Sequence, residues 1–216
     1  MNFCQNRNKI LSILFKKDVL KKMSEKWLIV GLGNPGDEYS ETRHNAGFIL
    51  LDEIAKTSLC GAVKQKFDGL LAEAVIAEKQ CLFLKPLTYM NNSGFCVYSV
   101  AKYYQIPLEN IIVLHDDTNF KIGQIRIRQH GSGGGHKGIG NIIQLFGSDK
   151  VVRIKIGVND KPNKSVDLKD WVLGRFSKDE LINLKSCAPF VKEAIVEIIN
   201  NNIENAMNKF NGTELI

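Results

Sequence analysis

Two short stretches of the sequence contain side chains of the types that activate water. His44 lies in Thr42-Arg43-His44-Asn45, and Asp116 follows His115 at the end of an apolar stretch. A histidine can take a proton from water, while a nearby carboxylate fixes the ring tautomer and stabilises the protonated ring. We therefore hypothesise that His44 and Asp116 form a general-base pair. The alternative is that His44 is an ordinary polar residue near a helix start and that Asp116 only ends a strand.

Two asparagines are of the type that can polarise a carbonyl group. Asn34 lies in Gly33-Asn34-Pro35-Gly36, and Asn91 precedes Asn92-Ser93. A side-chain amide can donate to the oxygen that becomes negative during acyl transfer. Both positions also fit local structure, because asparagine is common in turns and at helix starts. Each asparagine gains functional weight only if the fold places it beside the other candidates.

The stretch Gly31-Leu32-Gly33-Asn34-Pro35-Gly36 matches a dinucleotide-binding pattern, because it follows an apolar strand candidate. In that fold the last glycine opens a helix, and an acidic residue about 20 positions later ends the next strand. Here a polar stretch over 37–45 delays the helix, and Asp52 and Glu53 lie inside an amphipathic helical pattern. A nicotinamide-dependent oxidoreductase is therefore the weakest of our function hypotheses.

A second glycine-rich stretch, over 131–138, contains His136 and Lys137 and precedes a helical pattern. Its backbone amides and the dipole of the following helix could attract a phosphate. The stretch does not match a P-loop, because Gly138 follows Lys137 where a serine or threonine is required. Two interpretations stay open: a lid or phosphate-contacting loop, and a plain connector.

Basic side chains alternate with apolar ones in two strand candidates. Arg126 and Arg128 share one face of the first, and Arg153 and Lys155 share one face of the second. Such rows can contact a nucleic-acid backbone. Basic residues are also common on strand faces that only contact water, and the sequence does not show whether the two strands adjoin.

Alternating strand and helix patterns must position these side chains. Strand-like runs occur at 27–32, 70–77, 80–85, 111–115, 124–129 and 151–158, and helical patterns occur near 46–59, 93–105 and 136–146. We predict a single three-layer α/β domain in which helices flank a mixed, mostly parallel central sheet. Loops beyond the carboxyl ends of parallel strands share one crevice, where the polar candidates can meet.

The last part of the sequence has clear helix signals. Ser177 and Glu180 have the spacing of a capping box, so a helix should start there, with Pro189 kinking it or opening a second helix. The polar stretch over 159–169 predicts an exposed loop, to which we assign no catalytic residue.

Most of the net charge lies at one end of the chain. The 216 residues carry a net charge of +6, of which +5 falls in residues 1–22, leaving +1 for residues 23–216. Any nucleic-acid affinity of the folded part must therefore come from local clusters of charge. We interpret residues 1–22 as a basic extension that is disordered or not native, with Met23 as the natural start. A transit peptide or a membrane-surface helix is the alternative.

Cysteine usage and hydropathy indicate the compartment. The five cysteines are odd in number and widely spaced, and they include no C-x-x-C pair, so neither a disulfide framework nor a zinc site is indicated. No apolar run approaches the roughly 20 residues that span a bilayer. We expect a soluble protein of the reducing cytoplasm that has no membrane partner.

A set of short motifs runs through the chain in a fixed order. They are Val30-Gly31-Leu32-Gly33-Asn34-Pro35-Gly36, Tyr39, Thr42-Arg43-His44-Asn45-Ala46-Gly47, Lys85-Pro86-Leu87-Thr88-Tyr89-Met90-Asn91, Ser93-Gly94, His115-Asp116-Asp117 and Gly134-Gly135-His136. In this order they resemble the motifs of bacterial-type peptidyl-tRNA hydrolases. The resemblance extends from Trp27 through Val172-Leu173-Gly174-Arg175-Phe176 into the C-terminal helical region.

The resemblance implies hydrolysis of the ester that joins a peptide to tRNA, by a monomer without metal or organic cofactor. It implies that His44 is the general base, that Asp116 orients it, and that Asn34 and Asn91 bind the peptide and polarise the ester carbonyl. For tRNA it implies contacts with the terminal nucleotide and with the backbone, from Tyr39, Tyr89, Arg126 and Arg128.

One position departs from the family pattern. The family usually has Gly-Gly-His-Asn-Gly-Leu, whereas this chain has Gly134-Gly135-His136-Lys137-Gly138-Ile139. The usual asparagine contacts the substrate end of tRNA, so we expect Lys137 to alter that contact, through phosphate for example, and to leave the chemistry intact. A non-catalytic RNA-binding protein on the same fold is the second function hypothesis.

Overall fold

A mixed sheet lies at the centre of the protein. The computed structural model describes residues 26–159, 167–200 and 202–213, and within them the sheet has eight strands in the order β2-β4-β5-β1-β6-β8-β7, with β3 paired to β4. The strands are β1 (Trp27–Gly31), β2 (Leu59–Cys60), β3 (Lys64–Lys66), β4 (Gly69–Ile76), β5 (Lys79–Pro86), β6 (Ile111–Asp117), β7 (Ile125–Arg128) and β8 (Val152–Gly157). The central strands β5, β1, β6 and β8 are parallel, while β4 and β7 flank them in antiparallel pairing.

Helices cover both faces of this sheet. They are α1 (Ala46–Lys56), α2 (Ser93–Tyr104), α3 (Lys137–Phe146), α4 (Leu168–Leu173), α5 (Lys178–Ser186), α6 (Ala188–Ile199) and α7 (Ile203–Phe210). Successive residues of β1 point to opposite faces. Ile29 packs in a core with α1, α6 and α7, while Leu28 and Val30 pack in a second core with α2 and α3. The two cores confirm the predicted three-layer α/β domain with a mixed sheet.

Local signals explain the ends of the C-terminal helices. Ser177 Oγ accepts from Glu180 N–H, and the Glu180 side chain accepts from Ser177 N–H, which confirms the capping box at the start of α5. Pro189 lies in the first turn of α6, where a missing N–H costs nothing, so it opens a second helix. The described residues include no helix that is long and apolar enough to cross a bilayer.

The predictions for two less regular segments, the loop over 159–169 and the extension over 1–22, fall partly or wholly outside the described residues. The loop predicted over 159–169 is wrong at its end, because α4 begins at Leu168; residues 160–166 lie outside the described residues, as does the extension predicted over 1–22. The short strands β2 and β3 escaped sequence analysis, since their two and three residues are too few for a periodic pattern.

Candidate active site

A cleft of about 640 Å³ opens at the carboxyl ends of the central strands. It is built by the segments that follow β1, β5 and β6, by the glycine-rich loop before α3, and by α4. These segments come from distant parts of the chain and meet because parallel strands end at the same edge of the sheet. Of the predicted site residues, the cleft is lined by Asn34, Tyr39, His44, Tyr89, Asn91, Asp116 and Lys137.

Reciprocal hydrogen bonds between Asn34 and Asn45 fix the loop after β1. Asn34 N–H donates to Asn45 Oδ1 at 2.8 Å, and Asn45 Nδ2 donates to the Asn34 carbonyl oxygen at 2.9 Å. Asn34 Oδ1 accepts from Met90 N–H at 2.8 Å. The side-chain oxygen is therefore occupied, and the Nδ2 group is the part of Asn34 that can donate to a substrate.

The histidine loop packs closely against the sheet because Gly47 has no side chain. A Cβ at this position would lie 2.4 Å from the Leu114 carbonyl oxygen and 2.6 Å from Leu32 N. Such contacts are much shorter than van der Waals separations, so only glycine permits this approach. The close packing brings the preceding 3-10 turn, Arg43–Asn45, against the end of β6.

His44 and Asp116 form a direct pair. His44 Nδ1 lies 2.8 Å from Asp116 Oδ1, and the Asp116 side chain is almost completely buried while part of the His44 ring contacts solvent. Because Asp116 is a carboxylate and can only accept, Nδ1 of His44 carries the proton. The Nε2 atom of the neutral ring then has a free lone pair, as a general base requires.

A second histidine bonds to the same carboxylate oxygen. His136 Nε2 lies 3.0 Å from Asp116 Oδ1, and His136 Nδ1 accepts from Ile139 N–H at 3.3 Å in the first turn of α3. The N–H that points at Nδ1 fixes the tautomer with the proton on Nε2. Sequence analysis placed His136 only in a glycine-rich loop, since a histidine before a helix gives no sign of which distant carboxylate it will meet.

The two imidazoles keep Asp116 ionised. Burial alone would raise the pKa of the Asp116 carboxyl, but the electrostatic interaction with His136 and His44 and the hydrogen bonds from both rings hold it far below its usual range. His115 differs, because burial lowers its pKa to about 3. His115 Nδ1 donates to the Asp116 backbone carbonyl oxygen at 2.8 Å, and its buried Nε2 has no hydrogen-bond partner within the described chain.

His44, Asp116 and His136 are also of metal-ligand types, and their donor atoms lie within 4.8 Å of one another. A metal ion would need a lone pair on His136 Nε2, so the proton would have to move to Nδ1. That atom already accepts a hydrogen bond from Ile139 N–H. The hydrogen-bond directions therefore favour an arrangement in which His44 and His136 both donate to Asp116 over one in which the three residues coordinate a metal ion.

The rim of the cleft is more exposed than its floor. Tyr89 is 53% exposed, and its positive φ of 57°, combined with a ψ of 159°, is a strained backbone conformation for a residue with a side chain. Asn91 and Lys137 are exposed as well, the first in the 3-10 turn Met90–Asn92 and the second at the start of α3. These side chains are accessible at the rim of the cleft.

The two arginines of the first predicted basic row lie outside the cleft. Arg126 and Arg128 are partly exposed on β7 and do not line the cleft. The two strand pairs do adjoin, since Arg126 lies opposite Lys155 and Arg128 lies opposite Arg153. The interpretation of Arg153 and Lys155 as a second backbone-binding row is wrong for Arg153, whereas for Lys155, which is partly exposed and lines the cleft, it stays a prediction. Arg153 is 2% exposed and bonded to carbonyl oxygens, and Lys155 Nζ forms a 2.7 Å ion pair with Asp117.

Arg43 is a further residue that sequence analysis missed. Its Nη2 donates to both carboxylate oxygens of Glu180, at 2.7 and 2.9 Å, and its guanidinium lies 3.9 Å from the ring centre of Trp171. Since Trp171 belongs to α4, Arg43 connects the histidine loop to the helix that covers one side of the cleft. A cation next to a histidine in sequence gives no signal of such a contact.

Comparisons with known proteins agree on one family. A model of the peptidyl-tRNA hydrolase family matches residues 28–215. Peptidyl-tRNA hydrolases of Lachnospira eligens and of Clostridium botulinum are 46% and 48% identical over 86% of this chain, and the matches cover 100% and 96% of those proteins.

The structural comparison gives the same result. The crystal structure of peptidyl-tRNA hydrolase from Acinetobacter baumannii is similar with a TM-score of 0.81 and 32% sequence identity, covering 90% of this chain and 98% of that one.

The dinucleotide hypothesis fails, since Asp52 and Glu53 lie inside α1 and not at a strand end. The ordered motifs, the fold and these matches together show that the chain belongs to the peptidyl-tRNA hydrolase family.

Proposed function

We propose that this protein hydrolyses the ester bond between tRNA and a peptide or N-blocked aminoacyl group, releasing free tRNA for reuse in translation. The observation that carries the proposal is the 2.8 Å bond between His44 Nδ1 and Asp116 Oδ1 in a chain of this family. That bond leaves the second nitrogen of His44 free beside a cleft large enough for the end of a polymer.

The reaction begins with a water molecule beside His44. Nε2 takes a proton as the water oxygen attacks the ester carbonyl carbon, and the carbonyl oxygen becomes negative. When the intermediate collapses, the bond to the ribose oxygen breaks, and the protonated His44 returns its proton to that oxygen. Asp116 stays ionised throughout and stabilises the imidazolium. General-base catalysis of this kind contributes about 10²- to 10⁴-fold to the rate.

Asn34 and Asn91 are assigned to the peptide side of the ester. Asn34 is held by three hydrogen bonds, so its Nδ2 group needs no reorganisation to donate to the carbonyl oxygen. Preorganised donors of this kind act through the charge that develops in the transition state. Asn91 is exposed on the rim and serves to bind the peptide.

The RNA side of the substrate is assigned to the rim and to β7. Tyr39 and Tyr89 offer rings against which the terminal nucleotide can stack. Lys137 stands at the start of α3, where its charge and the helix N-terminus favour phosphate. Arg126 and Arg128 extend a basic surface beyond the cleft for the tRNA backbone.

The proposal assigns this activity to residues 23–216, acting as a cytoplasmic monomer without metal or cofactor. The unpaired Cys60, Cys81, Cys96 and Cys187 support a reducing compartment. The competing hypothesis, an RNA-binding protein without hydrolysis, requires that the His44 and Asp116 pair serve no chemical purpose.

One experiment tests the proposal and separates it from RNA binding alone. The protein, His44→Ala and the matched control His130→Ala are incubated with N-acetylaminoacyl-tRNA and with aminoacyl-tRNA that has a free amino group. We expect cleavage of the N-blocked substrate by the unmodified protein and by His130→Ala. His44→Ala should lose about 10²- to 10⁴-fold in kcat, while its affinity for tRNA stays within about twofold. Binding without cleavage by the folded, unmodified protein would favour the RNA-binding hypothesis.

A further inference from the structure

Arg153 is a buried cation that points toward the glycine-rich loop. It lies in β8, is 2% exposed, and makes no ion pair within the described residues. Its guanidinium donates to the carbonyl oxygens of Ser132 at 2.8 Å and Gly131 at 2.7 Å, and also to those of Asp149 and Val151. Four carbonyl oxygens therefore take the place of a carboxylate partner.

Apart from Arg153, the loop is supported mainly at its far end, where Gly133 lies against Gly140 of α3 and His136 bonds to Asp116. Gly131, Gly134 and Gly135 have positive φ values, and beyond its two chain neighbours no residue has an atom within 4 Å of the position of a Cβ at any of them. Glycines in such a loop lose much conformational entropy when the loop is ordered. Among the described residues the loop makes two further backbone hydrogen bonds, from His136 N–H to the Gly133 carbonyl oxygen at 2.9 Å and from Gly140 N–H of α3 to the His136 carbonyl oxygen at 3.0 Å.

The loop ends at His136, whose Nε2 must reach Asp116 Oδ1. We propose that Arg153 is a positioning residue that anchors the glycine-rich loop at Gly131 and Ser132, so that His136 donates to Asp116 and Lys137 faces the cleft. Arg153 thus acts on the general-base pair through the loop and not through the substrate. The catalytic consequence rests on the proposed function, whereas the anchoring itself can be measured without any substrate.

The chemistry of the contact requires arginine. Only its planar fork can reach carbonyl oxygens in several directions at once, while a lysine supplies one compact charge on a flexible chain. Burial lowers the pKa of Arg153 and the nearby charge of Asp149 opposes this. A buried charge without a carboxylate partner is unfavourable unless all its hydrogen-bond donors find acceptors. The hydrogen bonds to the loop therefore also offset the cost of burying the Arg153 guanidinium.

The test compares Arg153→Lys and Arg153→Met with the control Lys150→Met, which removes a cation from an exposed site just before the same strand. In the unmodified protein, ¹H–¹⁵N NMR of the imidazoles should show a hydrogen-bonded Nε2 proton on His136. We expect this signal to be lost in both Arg153 variants and kept in Lys150→Met. On N-acetylaminoacyl-tRNA, kcat should fall by up to about 10²-fold, as for small displacements of catalytic groups, with a smaller rise in KM.

A change that only lowers stability would reduce the active fraction without altering the pH profile. Loss of one N–H donor to Asp116 should instead move the acid limb of the pH profile of kcat/KM to higher pH. With one hydrogen bond fewer, the carboxylate charge interacts more strongly with the His44 imidazolium and favours its protonation. His136→Ala should move the limb in the same direction, and the double variant with Arg153→Lys should add little. Additive effects, or an unchanged His136 signal in Arg153→Lys, would overturn the proposal.

Hydrogen exchange on the unmodified protein keeps the proposal testable if both Arg153 variants fail to fold. The His136 amide should exchange as slowly as the amides of β8, because the loop opens only when its anchor opens. Exchange of this amide much faster than β8 would contradict the anchoring whatever the variants do. If the unmodified protein does not hydrolyse the N-blocked substrate, the proposed function fails, while the NMR and exchange results still decide the anchoring.

Discussion

Two cavities of similar size lie at opposite ends of the central strands. The cleft at the carboxyl ends measures about 640 Å³ and the cavity at the amino ends, here called the amino-edge cavity, measures about 680 Å³. Each contains a histidine and a carboxylate, His44 and Asp116 in the cleft, His130 and Glu109 in the amino-edge cavity. Volume and the presence of a histidine and a carboxylate therefore do not distinguish the two places.

The arrangement of the polar groups does distinguish them. In the cleft, His44 and His136 both bond to one buried carboxylate oxygen. In the amino-edge cavity, His130 and Glu109 are exposed, and no hydrogen bond joins them in the part of the chain that the structure describes. A carboxylate taken out of water and satisfied by two N–H groups is preorganised for catalysis, whereas two solvated side chains are not.

The largest expected difference between the cavities concerns their carboxyl groups. Asp116→Asn should lower kcat on N-acetylaminoacyl-tRNA by about 10³-fold or more, because an amide can no longer fix the tautomers of His44 and His136. Glu109→Gln makes the same chemical change in the amino-edge cavity and should leave kcat and KM unchanged. Initial rates with both purified variants give the measurement, with circular dichroism as the check on folding. Equal rates for folded Asp116→Asn and the unmodified protein would remove Asp116 from the mechanism.

The elements that carry the cleft were predictable, because strands and helices leave periodic patterns in the sequence. His44 and Asp116 could be proposed as a pair from their residue types and from the shared edge of parallel strands. The bond from His136 to Asp116 could not, since it depends on the path of a glycine-rich loop. Arg153 was assigned to a solvent-exposed strand face, because the alternation of basic and apolar residues shows which face a side chain lies on but not what covers that face. In the structure the loop at Gly131 and Ser132 covers Arg153.

A smaller difference concerns the histidines that are not assigned to catalysis. His115 is buried with its pKa lowered from 6.5 to about 3, whereas His130 is exposed. Between these two pH values the unfolded chain binds a proton at His115 that the folded protein does not bind, so stability falls as the pH is lowered below 6.5. From pH 7.5 to pH 5 this contributes a loss of about 2 kcal/mol in the free energy of unfolding.

His115→Asn tests this linkage, because asparagine keeps an N–H donor near the Asp116 carbonyl oxygen and does not titrate. Urea unfolding at the two pH values should show that the unmodified protein loses about 2 kcal/mol more than the variant. His130→Asn should lose as much as the unmodified protein. Parallel losses in all three proteins would show that His115 is protonated in the fold, and the contrast between a buried and an exposed histidine would disappear.

The smallest expected effect concerns the basic surface outside both cavities. Arg126 is held over the ring of Phe120, 5.5 Å from its centre, so the partly exposed Arg128 is the better candidate for contact with phosphate. Arg128→Ala should raise KM a few-fold with kcat unchanged, and it should lower the slope of log KM against log salt by about 1. Lys150→Ala removes a cation beside the amino-edge cavity and should change neither quantity. If both variants keep the original slope, Arg128 does not bind the tRNA backbone, and the RNA surface must be sought nearer the rim at Tyr89 and Lys137.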